Sequence, residues 1–118
     1  MCVPGCAVDE CFAGRPAYQR EIYDRMIAYL RGLGPVHADV VKVGVFLKHQ
    51  GKLAEVRPKA RSLSLALMLR RVIEDPRIAR VLPPIGDRFV HIVKLTSADD
   101  FDDQVREWLT EAYDEASV

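Results

Sequence analysis

Thiols are few in this chain and badly placed for cross-linking. Its 118 residues include three cysteines, Cys2, Cys6 and Cys11, all near one end. An odd number crowded into one segment makes a poor disulfide framework and reads as reduced thiols. Joined by His37, His49 or His91 they would supply the ligand types of a three-cysteine, one-histidine zinc site. Structural zinc sites, however, show tightly paired ligands, and here the spacings are loose and no second pair follows, so neither metal nor cofactor is expected. Long apolar runs are missing as well. The longest candidate, Ser62–Leu69, falls far short of the roughly 18 residues a membrane span requires, and no membrane partner is expected. Met1–Ala13 lacks the basic start and apolar core of a secretory signal, so the expected location is cytoplasmic. Net charge is absent, with seventeen basic residues against seventeen acidic, so the total points to no partner. Catalytic signatures are missing too: no G-x-S-x-G, H-E-x-x-H, P-loop or G-x-G-x-x-G occurs.

What is present fits a single ordinary globular domain, 49% hydrophobic and 29% charged. Apolar residues Tyr18, Ile22, Met26, Tyr29 and Leu33 recur at three and four residues, predicting a helix over Arg15–Leu33 that Gly34-Pro35 ends. From Ala38 the period becomes two. Val41, Val43, Val45 and Leu47 then share one side of a strand, with Val40, Lys42, Gly44, Phe46 and Lys48 on the other. His49-Gln50-Gly51 turns the chain into a returning strand over Lys52–Arg57. Ser62–Leu69 alternates leucines with small residues; helix competes there because leucine is a weak strand former, but alternation favours strand. Asp75-Pro76 resembles the start of a short helix, Pro76–Val81, stopped by Pro83-Pro84. Arg88–Leu95 is a fourth strand. Ser97, followed by Asp99, Asp100, Asp102 and Asp103, suits the start of a last helix whose dipole favours carboxylates. Phe101, Val105, Trp108, Leu109 and Ala112 form its buried face. The expected architecture is a two-layer α+β domain of order α-β-β-β-(short α)-β-α. Its four-stranded, mostly antiparallel sheet carries both long helices on one face.

Several short runs carry a family resemblance. They are Phe12-Ala13-Gly14-Arg15-Pro16, Leu33-Gly34-Pro35-Val36, Val41-Lys42-Val43-Gly44-Val45 and Glu55-Val56-Arg57-Pro58-Lys59. Val90-His91 and the closing stretch Asp103–Tyr113 complete the set. In these the chain resembles the bacterial domain-of-unknown-function family 5655, across about Val8 to Tyr113. The resemblance implies small cytosolic proteins or C-terminal modules of larger ones, and brings no catalytic residues with it. It leaves Met1–Ala7 as a tail before one domain over residues 8–118.

The neutral charge total hides segregation. Residues 1–41 carry four basic and five acidic side chains, a net of −1. Residues 42–95 carry twelve basic and four acidic, +8, and residues 96–118 carry one basic and eight acidic, −7. If the acidic helix lies against the basic strands, their fields cancel and the surface is merely solvated. If both helices cover the apolar sheet face, the other face is left open. It then presents Lys42, Lys48, Arg88 and Lys94 over a floor of small residues, with Arg57, Lys59 and Arg61 at one end. Such a surface suits an anionic small molecule or a nucleic-acid backbone. Nucleic acid finds thin support, because Phe46 is the one aromatic on that face and single-strand binders present several. The same face, with Phe46 and Met68 exposed, would alternatively make a homodimer interface. Catalysis is not expected. His91 alternates with Phe89 and Val93 and is read as a core histidine bonded to a neighbour, since a general base needs a partner in a cleft. The expected function is therefore a small binding or interaction module, with a self-associating adaptor as its alternative.

Overall fold

Pairing of the strand-forming stretches produces one sheet larger than the sequence pattern suggests. The computed structural model describes residues 4–42 and 44–116. In chain order the elements are α1 (Pro4–Phe12), α2 (Ala17–Leu33), β1 (His37–Val41), β2 (Gly44–Lys48), β3 (Lys52–Pro58) and β4 (Leu63–Leu69). They continue with β5 (Ile78–Ile85), β6 (Arg88–Leu95), a 3-10 turn at Ala98–Asp100, and α3 (Asp103–Glu115). The strands form a six-stranded sheet in the order β1-β2-β3-β4-β6-β5, with every neighbouring pair antiparallel.

The α+β class and antiparallel sheet agree with expectation; the strand count of four and the element order do not. The stretch expected as one strand from Ala38 is a hairpin, with Val41 paired to Gly44 and Val40 to Val45. Paired residues share a face, so the reversal places Val40 beside Val45, whereas continuous alternation had put Val41 there. Val43 lies outside the described residues. The short helix expected at Pro76–Val81 is instead a turn at Pro76–Arg77 followed by the start of β5 at Ile78. Pro83 and Pro84 are tolerated because β5 is an edge strand, with its pairing to β6 interrupted between Leu82 and Ile85. Helix α1 was not anticipated; it lies before the expected start of the first long helix. Cys2 and the side chain of Cys6 lie outside the described residues, while Cys11 is a half-buried free thiol.

Alternation along the interior strands builds the core. Leu63, Leu65, Leu67 and Leu69 of β4 are fully buried, as are Val45, Leu47, Val56 and Val93 from neighbouring strands. Each such side chain contributes about 1.5–3 kcal/mol by leaving water. From the helices, Ile22, Met26 and Leu30 of α2 and Val105, Trp108, Leu109 and Ala112 of α3 join the same cluster. The buried stripe of α2 is broader than the predicted one. It takes in Gln19, Tyr23 and Ile27 and leaves Leu33 39% exposed. Packing by α1 accounts for Tyr23, whose ring lies 5.2 Å from that of Phe12, while Gln19 turns inward to the loop after β3. The start of α3 is also shifted. Asp102 is the cap, accepting from the Val105 N–H at 3.1 Å, while Ser97 makes no side-chain capping bond and Asp100 accepts instead from Thr96.

Candidate functional site

The helices share one side of the sheet, so the other side is shaped by what alternation sends outward. Registers across β3, β4, β6 and β5 align Glu55 with Ala66, Ala66 with Ile92, and Ile92 with Arg80. The next outward row aligns Arg57, Ser64 and Lys94. Toward the other end, Met68 pairs with Val90 and Val90 with Leu82. Small residues in the middle and longer ones around them leave a groove of about 500 Å³. Arg57, Lys59, Arg80 and Lys94 surround it, and Ser64, Ala66, Val90 and Ile92 line it.

Local structure holds the cations in place. Gly44 of β2 lies against β3 so closely that a Cβ there would overlap the Val56 carbonyl oxygen and press on the Arg57 side chain. The loop after β3 is pinned from α2: Tyr18 Oη donates to the Arg61 carbonyl at 2.9 Å, and Gln19 Nε2 donates to the Lys59 carbonyl at 2.7 Å. The Lys59 N–H closes the loop onto the Ser62 carbonyl at 3.0 Å. These bonds use the backbone and leave the Lys59 side chain exposed to the groove. Among the described residues Lys59, Arg80 and Lys94 have no ion-pair partner, whereas Arg57 Nε is 2.6 Å from the largely buried carboxylate of Glu55.

The seven basic residues expected to bind a ligand do not all meet. Arg57, Lys59 and Lys94 line the groove. Lys42 sits on the β1–β2 turn, beside a different hollow that Arg57 and Lys59 also line. Lys48 pairs with Asp39 at 2.6 Å. Arg88, at the start of β6, donates to the Lys52 carbonyl at 2.7 Å. Arg61 is exposed on the pinned loop. Phe46 and Met68 are each half-buried, and the Lys52 ammonium lies 4.2 Å from the centre of the Phe46 ring.

Two charged groove residues, Arg80 and Glu55, are not among those expected from the sequence. Arg80 was hidden by the expected helix at Pro76–Val81. Glu55 was legible, because it stands two residues from Arg57 on the same strand and therefore on the same face.

The acidic last helix lies clear of this groove. It packs with β3 and β4 in the core cluster on the opposite side of the sheet. Its carboxylates meet other cations: Glu111 takes both Arg71 Nε and Nη2 at 2.9 Å, and the cap Asp102 pairs with Arg77. His91 is fully buried on the helix side of β6. Its Nε2 accepts from the Ile73 N–H at 3.0 Å and its Nδ1 faces the Phe89 carbonyl at 3.1 Å. These bonds set the tautomer with the proton on Nδ1, and the ring is a structural bridge as expected. No helix among the described residues is long and apolar enough to cross a membrane.

A family model described as a domain of unknown function, DUF5655, matches residues 8–116. No curated protein and no solved structure matches the chain.

Proposed function

We propose, for a chain that belongs to the DUF5655 family, that the outer sheet face is a binding site for a small anionic molecule and that the domain is a binding module. The observation that carries this reading is the groove in which Lys59, Arg80 and Lys94, all lacking ion-pair partners among the described residues, surround a floor of small side chains. Uncompensated cations around a concave surface focus a positive potential and attract anions. The groove's volume of about 500 Å³ suits a small molecule. Serine hydroxyls at Ser62 and Ser64 offer neutral hydrogen bonds at the charged end, and Ala66, Val90 and Ile92 offer apolar contact for the rest of the ligand. Extended nucleic acid is favoured less, because no aromatic side chain lines the groove for base stacking. Self-association through this face is also favoured less. Phe46 and Met68 are half-buried, and the exposed large hydrophobics among the described residues are Leu33, Val41, Val72, Val81 and Ile85.

The test is an amide chemical-shift titration with phenyl phosphate at about 50 and 200 mM salt, the range over which exposed charges are increasingly screened. Shifts centred on Ser64, Ala66, Ile92 and Lys94, weaker at the higher salt, are expected. Lys94→Ala and Arg80→Ala should each weaken binding about two- to fivefold, the range for a solvent-exposed charge pair. Absence of shifts in this groove at the lower salt refutes the reading. Concentration-dependent mass that Phe46→Glu abolishes would transfer the face to self-association.

A further inference from the structure

A second basic hollow adjoins the groove. It encloses about 440 Å³ and is lined by Glu10, Cys11, Arg15, Lys42, Arg57 and Lys59, among others. Arg57 and Lys59 line both hollows, so their side chains stand between the two and belong to each. Arg15 and Lys42, like Lys59, have no ion-pair partner among the described residues. Most other arginines do: Arg20, Arg25, Arg70, Arg71, Arg77 and Arg106 all pair with a carboxylate. Lys94, Lys59, Lys42 and Arg15, none of them ion-paired among the described residues, thus follow a track that also crosses Arg57, which Glu55 pairs. Gly44 permits this continuity, since a side chain there would intrude on Arg57.

We infer that the site is bipartite and takes a small molecule bearing two separated anionic groups, one in each hollow, with Arg57 and Lys59 shared between them. This rests on the proposed anion-binding function and adds the ligand's chemical class. An anionic group in the second hollow meets Arg15 and Lys42, which do not reach the first. Cys11 does not compete for those cations, because burial pushes its thiol up against the opposing influence of Arg15, keeping it neutral. Glu10 is the one carboxylate lining the second hollow and Glu55 the one lining the first, so cations outnumber anions in both. Once one group has bound, the other is held nearby at a high effective concentration, and the gain depends on whether the linker spans the two hollows.

The experiment compares phenyl phosphate with a series of α,ω-alkane bisphosphates of increasing chain length, and with triphosphate as a compact polyanion, by calorimetric titration. One chain length should bind at least about tenfold more tightly than phenyl phosphate, with shorter and longer members weaker. Lys42→Ala and Arg15→Ala should remove that gain while leaving phenyl phosphate affinity within about twofold, the effect expected of an exposed charge that does not touch the ligand. Lys94→Ala should weaken both probes. If phenyl phosphate binds in the groove but no bisphosphate gains over it, the bipartite site is overturned and the single anion site stands. A gain that rises with charge alone, equal for triphosphate, overturns it too. If neither phenyl phosphate nor any bisphosphate binds, both readings fall. Tighter binding of an oligothymidylate than of every bisphosphate replaces the small molecule with nucleic acid.

Discussion

Replacing His91 by alanine should destabilise the domain severely through losses that can be counted from the structure. The ring is fully buried and makes two hydrogen bonds, to the Ile73 N–H and toward the Phe89 carbonyl. Each typical intramolecular hydrogen bond contributes about 1 kcal/mol, and an orphaned buried N–H costs about 1–3 kcal/mol. The vacated ring leaves a cavity that adds about 1–2 kcal/mol if the site collapses only in part. Together the lost Phe89 bond, the orphaned Ile73 N–H and the cavity give a loss of about 3–6 kcal/mol, a large part of the roughly 5–15 kcal/mol that a domain of this kind has. The effect should also have an address. Ile73 belongs to the irregular segment between β4 and β5 that carries Arg71 and Arg77 to the carboxylates of α3 and its cap. His91→Phe fills the volume but cannot accept from Ile73, so about half of the loss should persist. Urea unfolding measures the stabilities, and native-state hydrogen exchange at the Ile73 amide reads the specific bond. A loss under about 1 kcal/mol for His91→Ala, or unchanged protection at Ile73 in both variants, would refute the bridge.

Further outcomes follow from the same geometry. Gly34 has φ +155°, and a Cβ there would overlap Tyr113 Oη. Gly34→Ala should therefore cost about 1–3 kcal/mol in urea unfolding, with Tyr113→Phe recovering part of it; a cost below this range would show that the hydroxyl moves aside freely. Asp102→Ala should cost about 1 kcal/mol by removing the α3 cap, seen as earlier thermal unfolding. Burial acts to raise the Asp102 carboxyl, but the Val105 N–H and Arg77 outweigh it and hold it below the ordinary carboxylate value. A carboxyl lowered on folding stabilises the native state above its unfolded value near 4, and that stability is lost as pH falls through the folded value. Wild type should accordingly lose more stability than Asp102→Asn between about pH 5 and 2, and parallel curves would remove Asp102 from the account.

Much of the core could be read from the chain, because burial on one side of an element leaves a periodic trace. The leucines of β4 and the apolar positions of α3 were identified by spacing alone and are buried. His91 was placed correctly by its alternation with Phe89 and Val93. Reversals were harder to see. The β1–β2 hairpin interrupts an alternating run without a strong turn signal, so Val40 and Val41 were assigned to the wrong faces. Pro83-Pro84 suits the stop of a helix, but proline disrupts an edge strand only where a ladder hydrogen bond is needed, and β5 lies at an edge. Losing β5 as a strand also concealed Arg80.

The charge segregation shows where the division falls. Amino-acid order alone shows that residues 42–95 are basic, that residues 96–118 are acidic, and which strand positions alternate with the leucines. It also determined the family, through short runs that extend over nearly the whole chain. It takes the folded arrangement to show that α3 packs on the leucine side and meets Arg71, with Arg77 at its cap, leaving the outer groove positive. The same is true of the convergence of Arg57 and Lys59, from β3 and the loop after it, with Arg80 and Lys94, from the two strands of the β5–β6 hairpin. Local periodicity specifies the face on which a side chain emerges. Which faces then oppose one another depends on strand order and register, and these are set by packing among all the elements at once.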